Sequence, residues 1–142
     1  MKSRENILEF SGLPLGDHEF EYELSETFFS SFDLLKYERI QPLIVKVKLN
    51  KSNHMMEMKL SFRGFMNTFC DVSNDPFTLE ISNNFSLIVK FGESFNDENP
   101  EILILPRGEF EINMKQLFYE LIALSIPIQK IKEDTEIKKD KA

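Results

Sequence analysis

One cysteine, no tryptophan and two histidines leave this chain with few reactive side chains. A single cysteine excludes an internal disulfide and any all-cysteine metal site. His18, His54 and Cys70 are the soft ligands on offer, and no two stand at metal-ligand spacing. Glycine is also scarce, at five residues, and none forms a phosphate-cradling loop; Gly12 and Gly16 flank a proline turn instead. No serine occupies a nucleophile-elbow context. The acidic clusters Asp17-Glu19-Glu21 and Asp97-Glu98 read as solvated faces rather than paired catalytic carboxylates. No stretch is apolar for long enough to cross a bilayer. The opening residues MKSRENILEF lack the apolar core of a secretory leader. An excess of positive charge is missing too: the formal net charge is -7, a poor starting point for gripping DNA or nucleic acid in general. These absences point to a cytoplasmic protein with no catalytic residues, no metal and no cofactor.

What is present suits one folded domain. The chain has 142 residues, 42% apolar and 29% charged, with 14 phenylalanines to fill a core. A chain of this size buries about two-thirds of its unfolded surface and needs no metal or disulfide staple. Ile7 to Phe10 is a short apolar run stopped by Ser11-Gly12. His18, Phe20 and Tyr22 alternate with Glu19, Glu21 and Glu23, the period of a half-buried strand. Ser25 precedes Phe28, Phe32 and Leu35, whose spacing predicts a short capped helix over 26–36, although the adjacent Phe28-Phe29 would also suit a strand. Core packing is the favoured role for Phe28, Phe29 and Phe32 over an adhesive surface.

The middle of the chain alternates with a period of two. Val45, Val47 and Leu49 are followed, after a polar turn, by Met56, Met58, Leu60 and Phe62, which predicts a hairpin. The second strand is expected to continue to Cys70 through a bulge at Gly64. Phe77, Leu79 and Ile81 start another strand, and Phe85 to Phe91 resume it after a bulge or bend at Asn83-Asn84. Residues 92–100 are polar and acidic and read as a mobile loop. Ile102 to Leu105 is a short strand. Met114, Leu117, Phe118, Leu121 and Ile122 then form the stripe of a second helix, with Asn113 and Gln116 at capping-box spacing and Pro127 beyond its end. The resulting class is α+β: a mostly antiparallel sheet, either open or closed into a barrel, with two short helices. Residues 1–128 make one domain. Residues 129–142, with five lysines and four acids, form a charged tail expected to lack fixed structure.

One surface stands out. Lys46 and Lys48 point outward from one strand of the predicted hairpin, Lys59 and Arg63 from the other, and Lys51 lies near the turn. Together they make a candidate surface for phosphates or for a protein. The plainer alternative is that outward lysines guard a sheet edge against pairing. No aromatic residue joins them clearly, which favours backbone or protein contact over reading of bases. A separate possibility follows from charge. Up to residue 128 there are 12 basic and 20 acidic residues, a balance suited to holding a basic protein.

Four segments together resemble the YceD-like family, a conserved bacterial domain named for large-subunit ribosomal RNA accumulation, in the form found in Bacteroidota. They are Phe10-Ser11-Gly12-Leu13-Pro14-Leu15-Gly16-Asp17-His18, Phe62-Arg63-Gly64 leading to Cys70-Asp71, Leu87-Ile88-Val89-Lys90-Phe91-Gly92, and Ile112-Asn113 with Tyr119 to Pro127. Many relatives carry Cys-Asp-Arg-Cys where this chain has Cys70-Asp71-Val72-Ser73, and further cysteines after the final proline, which are missing here. Cys70 and Asp71 are therefore the remnant of a family motif. The resemblance implies a role in the accumulation or processing of large-subunit ribosomal RNA. The partner would be ribosomal RNA, a large-subunit precursor or a basic ribosomal protein.

Overall fold

A computed structural model describes residues 6–36 and 38–131. The elements in chain order are β1 (Ile7–Glu9), β2 (Gly16–Leu24), α1 (Glu26–Ser30), β3 (Leu43–Lys51), β4 (Met55–Phe69), β5 (Pro76–Gly92), β6 (Asn96–Asn99), β7 (Ile102–Pro106), β8 (Glu111–Asn113) and α2 (Lys115–Ala123). Strands dominate, as the alternation in the sequence requires, and the two short helices are both present. Six strands form one sheet in the order β2-β3-β4-β5-β7-β6, and β1 pairs with β8 in a separate two-stranded ribbon. The sheet stays open, with β2 and β6 at its edges, so it does not close into a barrel. Every pair in it is antiparallel except β5 with β7.

The centre is the β4–β5 hairpin. Its register runs without interruption from Met55 opposite Lys90 to Phe69 opposite Pro76. The bulges expected at Gly64 and at Asn83-Asn84 do not form. Gly64 instead keeps the inward phase and provides room: a Cβ there would lie 2.8 Å from Leu43 Cδ2. Asn83 likewise takes an inward position, and its amide donates to the Leu121 carbonyl of α2 at 3.1 Å. What looked like a slip of phase is a polar residue on the core face, satisfied by the helix above it.

The inner face carries Val45, Val47, Leu49, Met58, Leu60 and Val89, all fully buried. Phe118, Leu121 and Ile122 of α2 close over it within the same core cluster. The expected cap at Asn113 falls one residue early: Met114 stands at the N-cap of α2 and makes no side-chain capping bond, while Asn113, the last residue of β8, accepts the Lys115 N–H at 3.0 Å. The reciprocal half of the capping box is absent, because the Gln116 amide pairs with Glu120 instead. The first helix is shorter than the predicted 26–36. It stops at Ser30, and turns closed by Phe32 carry the chain on to Lys36. Ser25 stands at its N-cap in extended conformation but makes no side-chain capping bond. Phe28 and Phe29 are buried, and Phe32 stacks on Tyr119 at 4.4 Å, so these rings pack the core.

The acidic stretch 92–100 contains a strand rather than only a loop. The parallel β5–β7 pair requires the chain to travel back before β7 can begin. The exposed β6 is that return path, pairing antiparallel with β7 on its outer side. The charged tail expected over 129–142 falls mostly outside the described residues; only residues 129–131 of it are described.

Two outcomes test this packing. Gly64→Val should destabilise the fold by about 1–3 kcal/mol through overpacking against Leu43, read as a lower urea midpoint; an unchanged midpoint would show that Leu43 can yield. The Tyr22 phenol lies against Phe118 at 5.1 Å between ring centroids and donates to the Ile7 carbonyl at 3.2 Å. Burial pushes its pKa up from 10.0 to about 12. The neutral phenol thus favours the folded state, a contribution whole below pH 10 and lost as pH rises through about 12. Tyr22→Phe should flatten the fall in stability over that window, measured by denaturant unfolding at successive pH values.

Candidate macromolecule-binding surfaces

The outer face of the sheet collects four of the five predicted cations. Lys46, Lys48, Lys59 and Arg63 are all exposed. Lys48 and Lys59 stand directly opposite each other across β3 and β4. Like charges in that position oppose each other and reduce stability. Beyond Lys59 the next residue across β5 is Ser86, so no carboxylate faces it from that side. Acids do line the other flank: Glu19 opposes Lys48 and Glu21 opposes Lys46 across β2. Arg63 pairs with Glu80, whose hydrogen bond and charge hold the guanidinium pKa above its usual value. Lys46, Ser61 and Arg63 border a shallow depression of about 530 Å³ over Leu43 and Phe62.

Guarding a sheet edge does not account for these lysines, because β3 and β4 are interior strands. The face also carries aromatics that the sequence reading did not place there. Phe65 is 37% and Phe69 48% exposed, on the same outward series as Lys59 and Arg63. The Arg63 guanidinium lies 5.6 Å from the centre of the Phe65 ring. The signal for them was the unbroken alternation itself. An assumed bulge at Gly64 reverses the phase and hides both rings in the core.

Lys51 does not join this face. Its ammonium donates to the carbonyls of Phe10 at 2.7 Å, Leu13 at 2.8 Å and Ser11 at 3.4 Å, pinning the turn between β1 and β2. Its cross-strand neighbour Gly16 has a φ of +116°, a conformation suited to glycine.

Cys70 and Asp71 lie at the far end of the β4–β5 hairpin. Cys70 is buried, and its backbone closes the turn to Asn74 and Asp75. Asp71 clasps the chain beyond α2: its N–H donates to the Lys130 carbonyl at 2.6 Å, and its carboxylate accepts the Lys130 N–H at 2.7 Å. The Lys130 ammonium lies 3.8 Å from Glu38. Among the described residues, no group of three or more His, Cys, Asp or Glu side chains is placed to hold a metal ion.

A third feature was not legible locally. On the helix side of the sheet, α2, β8 and the β5–β7 strands enclose a groove of about 880 Å³. Its apolar floor includes Leu87, Leu103, Leu105 and Ile112. Its acidic residues come from separate places in the chain, so no spacing announces them.

The model of the family described as large ribosomal RNA subunit accumulation protein YceD matches residues 58–142. The chain belongs to this family. The match starts within β4 and takes in the Cys70-Asp71 turn, the β5–β7 strands and α2, whereas the resemblance at residues 10–18 lies outside it. In this member of the YceD family, the motif turn and the segment after Pro127 are brought together by hydrogen bonds. Searches of curated proteins and of solved structures found no match. No helix among the described residues is long and apolar enough to cross a membrane.

Lys51→Met keeps the apolar stem and removes the ammonium. It should cost about 1.5–3 kcal/mol by stranding carbonyls that accept from a charged donor, with a lower thermal midpoint as the readout. Asp71→Ala should remove the carboxylate half of the clasp and keep its backbone half, seen as faster amide exchange at Lys130 while the exchange of core amides in β4 holds.

Proposed function

We propose that the chain supports the accumulation of large-subunit ribosomal RNA in the cytoplasm by binding the RNA of the maturing particle, without catalysing a reaction. Membership of the YceD family supports the process. The observation that carries the contact is the Lys48–Lys59 pair, two like charges held opposite each other on interior strands. Like charge in that position reduces stability; Glu19 opposite Lys48 offsets it on one side, while Lys59 has Ser86 across from it on the other. Phosphate is an anion of the right kind, and the exposed Phe65 and Phe69 offer rings on which unpaired bases can stack. The acids on β2 limit the strength of a purely electrostatic grip. Selection by shape or by a second partner within the particle is consistent with that limit.

Changing Lys46, Lys48, Lys59 and Arg63 together to Glu should reduce co-sedimentation with large-subunit precursors while circular dichroism remains that of the folded protein. Lys48→Ala and Lys59→Ala should each lower the slope of log affinity against log salt by about 1 if each neutralises one phosphate. Unchanged co-sedimentation of the quadruple variant would rule this face out as the contact. A tagged pull-down whose ribosomal partners survive ribonuclease would redirect the reading from RNA to protein.

A further inference from the structure

We infer that the groove between α2 and the β5–β7 strands is a docking site for a basic amphipathic segment of a partner protein. The groove is apolar within and acidic around its rim. Phe95 is 57% exposed and Leu124 77% exposed in its walls, large apolar side chains that face solvent. Asp97, Glu101, Glu109, Glu111 and Glu120 line it, and among the described residues no Lys or Arg does. These five carboxylates come from β6, from the residue before β7, from the turn before β8, from β8 and from α2. Several elements therefore converge to give one sign of charge around an apolar floor, an arrangement that focuses the field on whatever enters.

That chemistry selects among occupants. Phosphate-bearing ligands, RNA included, meet repulsion from Asp97, Glu101, Glu109 and Glu120. A small inorganic cation would leave the apolar floor uncovered. A strand added to the neighbouring edge is disfavoured, because β6 is four residues long, fully exposed and irregular in its pairing. A segment with apolar side chains on one face and Lys or Arg on its flanks satisfies floor and rim together, the usual mode for a helix laid in a groove. The volume, about 880 Å³, is that of a cleft for a drug-sized molecule, about 300–1,000 Å³, room for a few apolar side chains of such a segment and not for its whole body. The site is separate from the Lys48–Lys59 face, which lies on the other side of the sheet. The protein would thus hold RNA and a basic protein at once.

The test is titration of the full chain with a synthetic Leu/Lys amphipathic helical peptide, followed by fluorescence anisotropy, with a Leu/Glu peptide of matched pattern as control. The Leu/Lys peptide should bind with an affinity on the order of micromolar that weakens as salt rises. Glu101→Lys with Glu120→Lys should weaken it about tenfold. Phe95→Ser with Leu124→Ser should weaken it without altering the salt dependence; all four positions are exposed, so folding is retained. Equal binding of the Leu/Glu peptide, or wild-type affinity in both double variants, overturns the inference. Binding that appears only after Lys138, Lys139 and Lys141 are changed to Glu shows that the chain's own segment fills the groove, and overturns it as well. Lys48→Ala and Lys59→Ala should leave peptide binding intact. Loss of RNA contact with peptide binding kept, or the reverse, separates failure of this inference from failure of the RNA reading.

Discussion

The unbroken register of β4 on β5 is the constraint on which the rest of the molecule depends. In a sheet, a shift of one residue sends every side chain to the opposite face. Here fifteen residues of β4 keep one phase along their whole length. That phase sends Met56, Met58, Leu60 and Met66 into the core and Lys59, Arg63, Phe65 and Phe69 to the outside. Two residues make the continuity possible. Gly64 lets Leu43 approach where a side chain would collide, and Asn83 occupies a core position because α2 offers it a carbonyl. Core, outer face and helix position are thus set by a single pairing.

The sheet also separates charge. Its outer face brings lysines together on interior strands, while the helix side ends in a groove whose rim is acidic. Lys51 shows how much placement matters. It lies on the same hairpin as Lys46 and Lys48, yet its ammonium is taken up by three carbonyls of the preceding turn. Net charge alone, at -7, gives no hint that the molecule presents two such different surfaces.

Alternation of apolar and polar residues made β2, β3, β4 and most of β5 legible, because half-buried strands leave a period of two in the sequence. The stripe of α2 was equally plain. The failures share a cause: residues that break a local rule were read locally. Gly64 and Asn83 looked like interruptions, but each is explained by a partner distant in the chain, Leu43 and Leu121 respectively. β6 has no apolar signature, since its strand is imposed by the route the chain must take to reach β7. The convergence of Lys48 with Lys59 followed from the hairpin, whereas the groove depends on elements brought together only by the completed topology. Cys70 and Asp71 were visible as a motif, but the clasp on Lys130 joins positions 59 residues apart and leaves no mark in local sequence.

The return path through β6 has a consequence for synthesis. β7 lies between β5 and β6, so β5 has one hydrogen-bonding side without its strand partner until the ribosome has passed Pro106. Until then the nascent chain presents an open edge beside Leu87 and Val89, an invitation to pair with other chains. The four polar residues of β6 emerge first, but they pair with β7 and not with β5, so that edge stays open until β7 inserts between them.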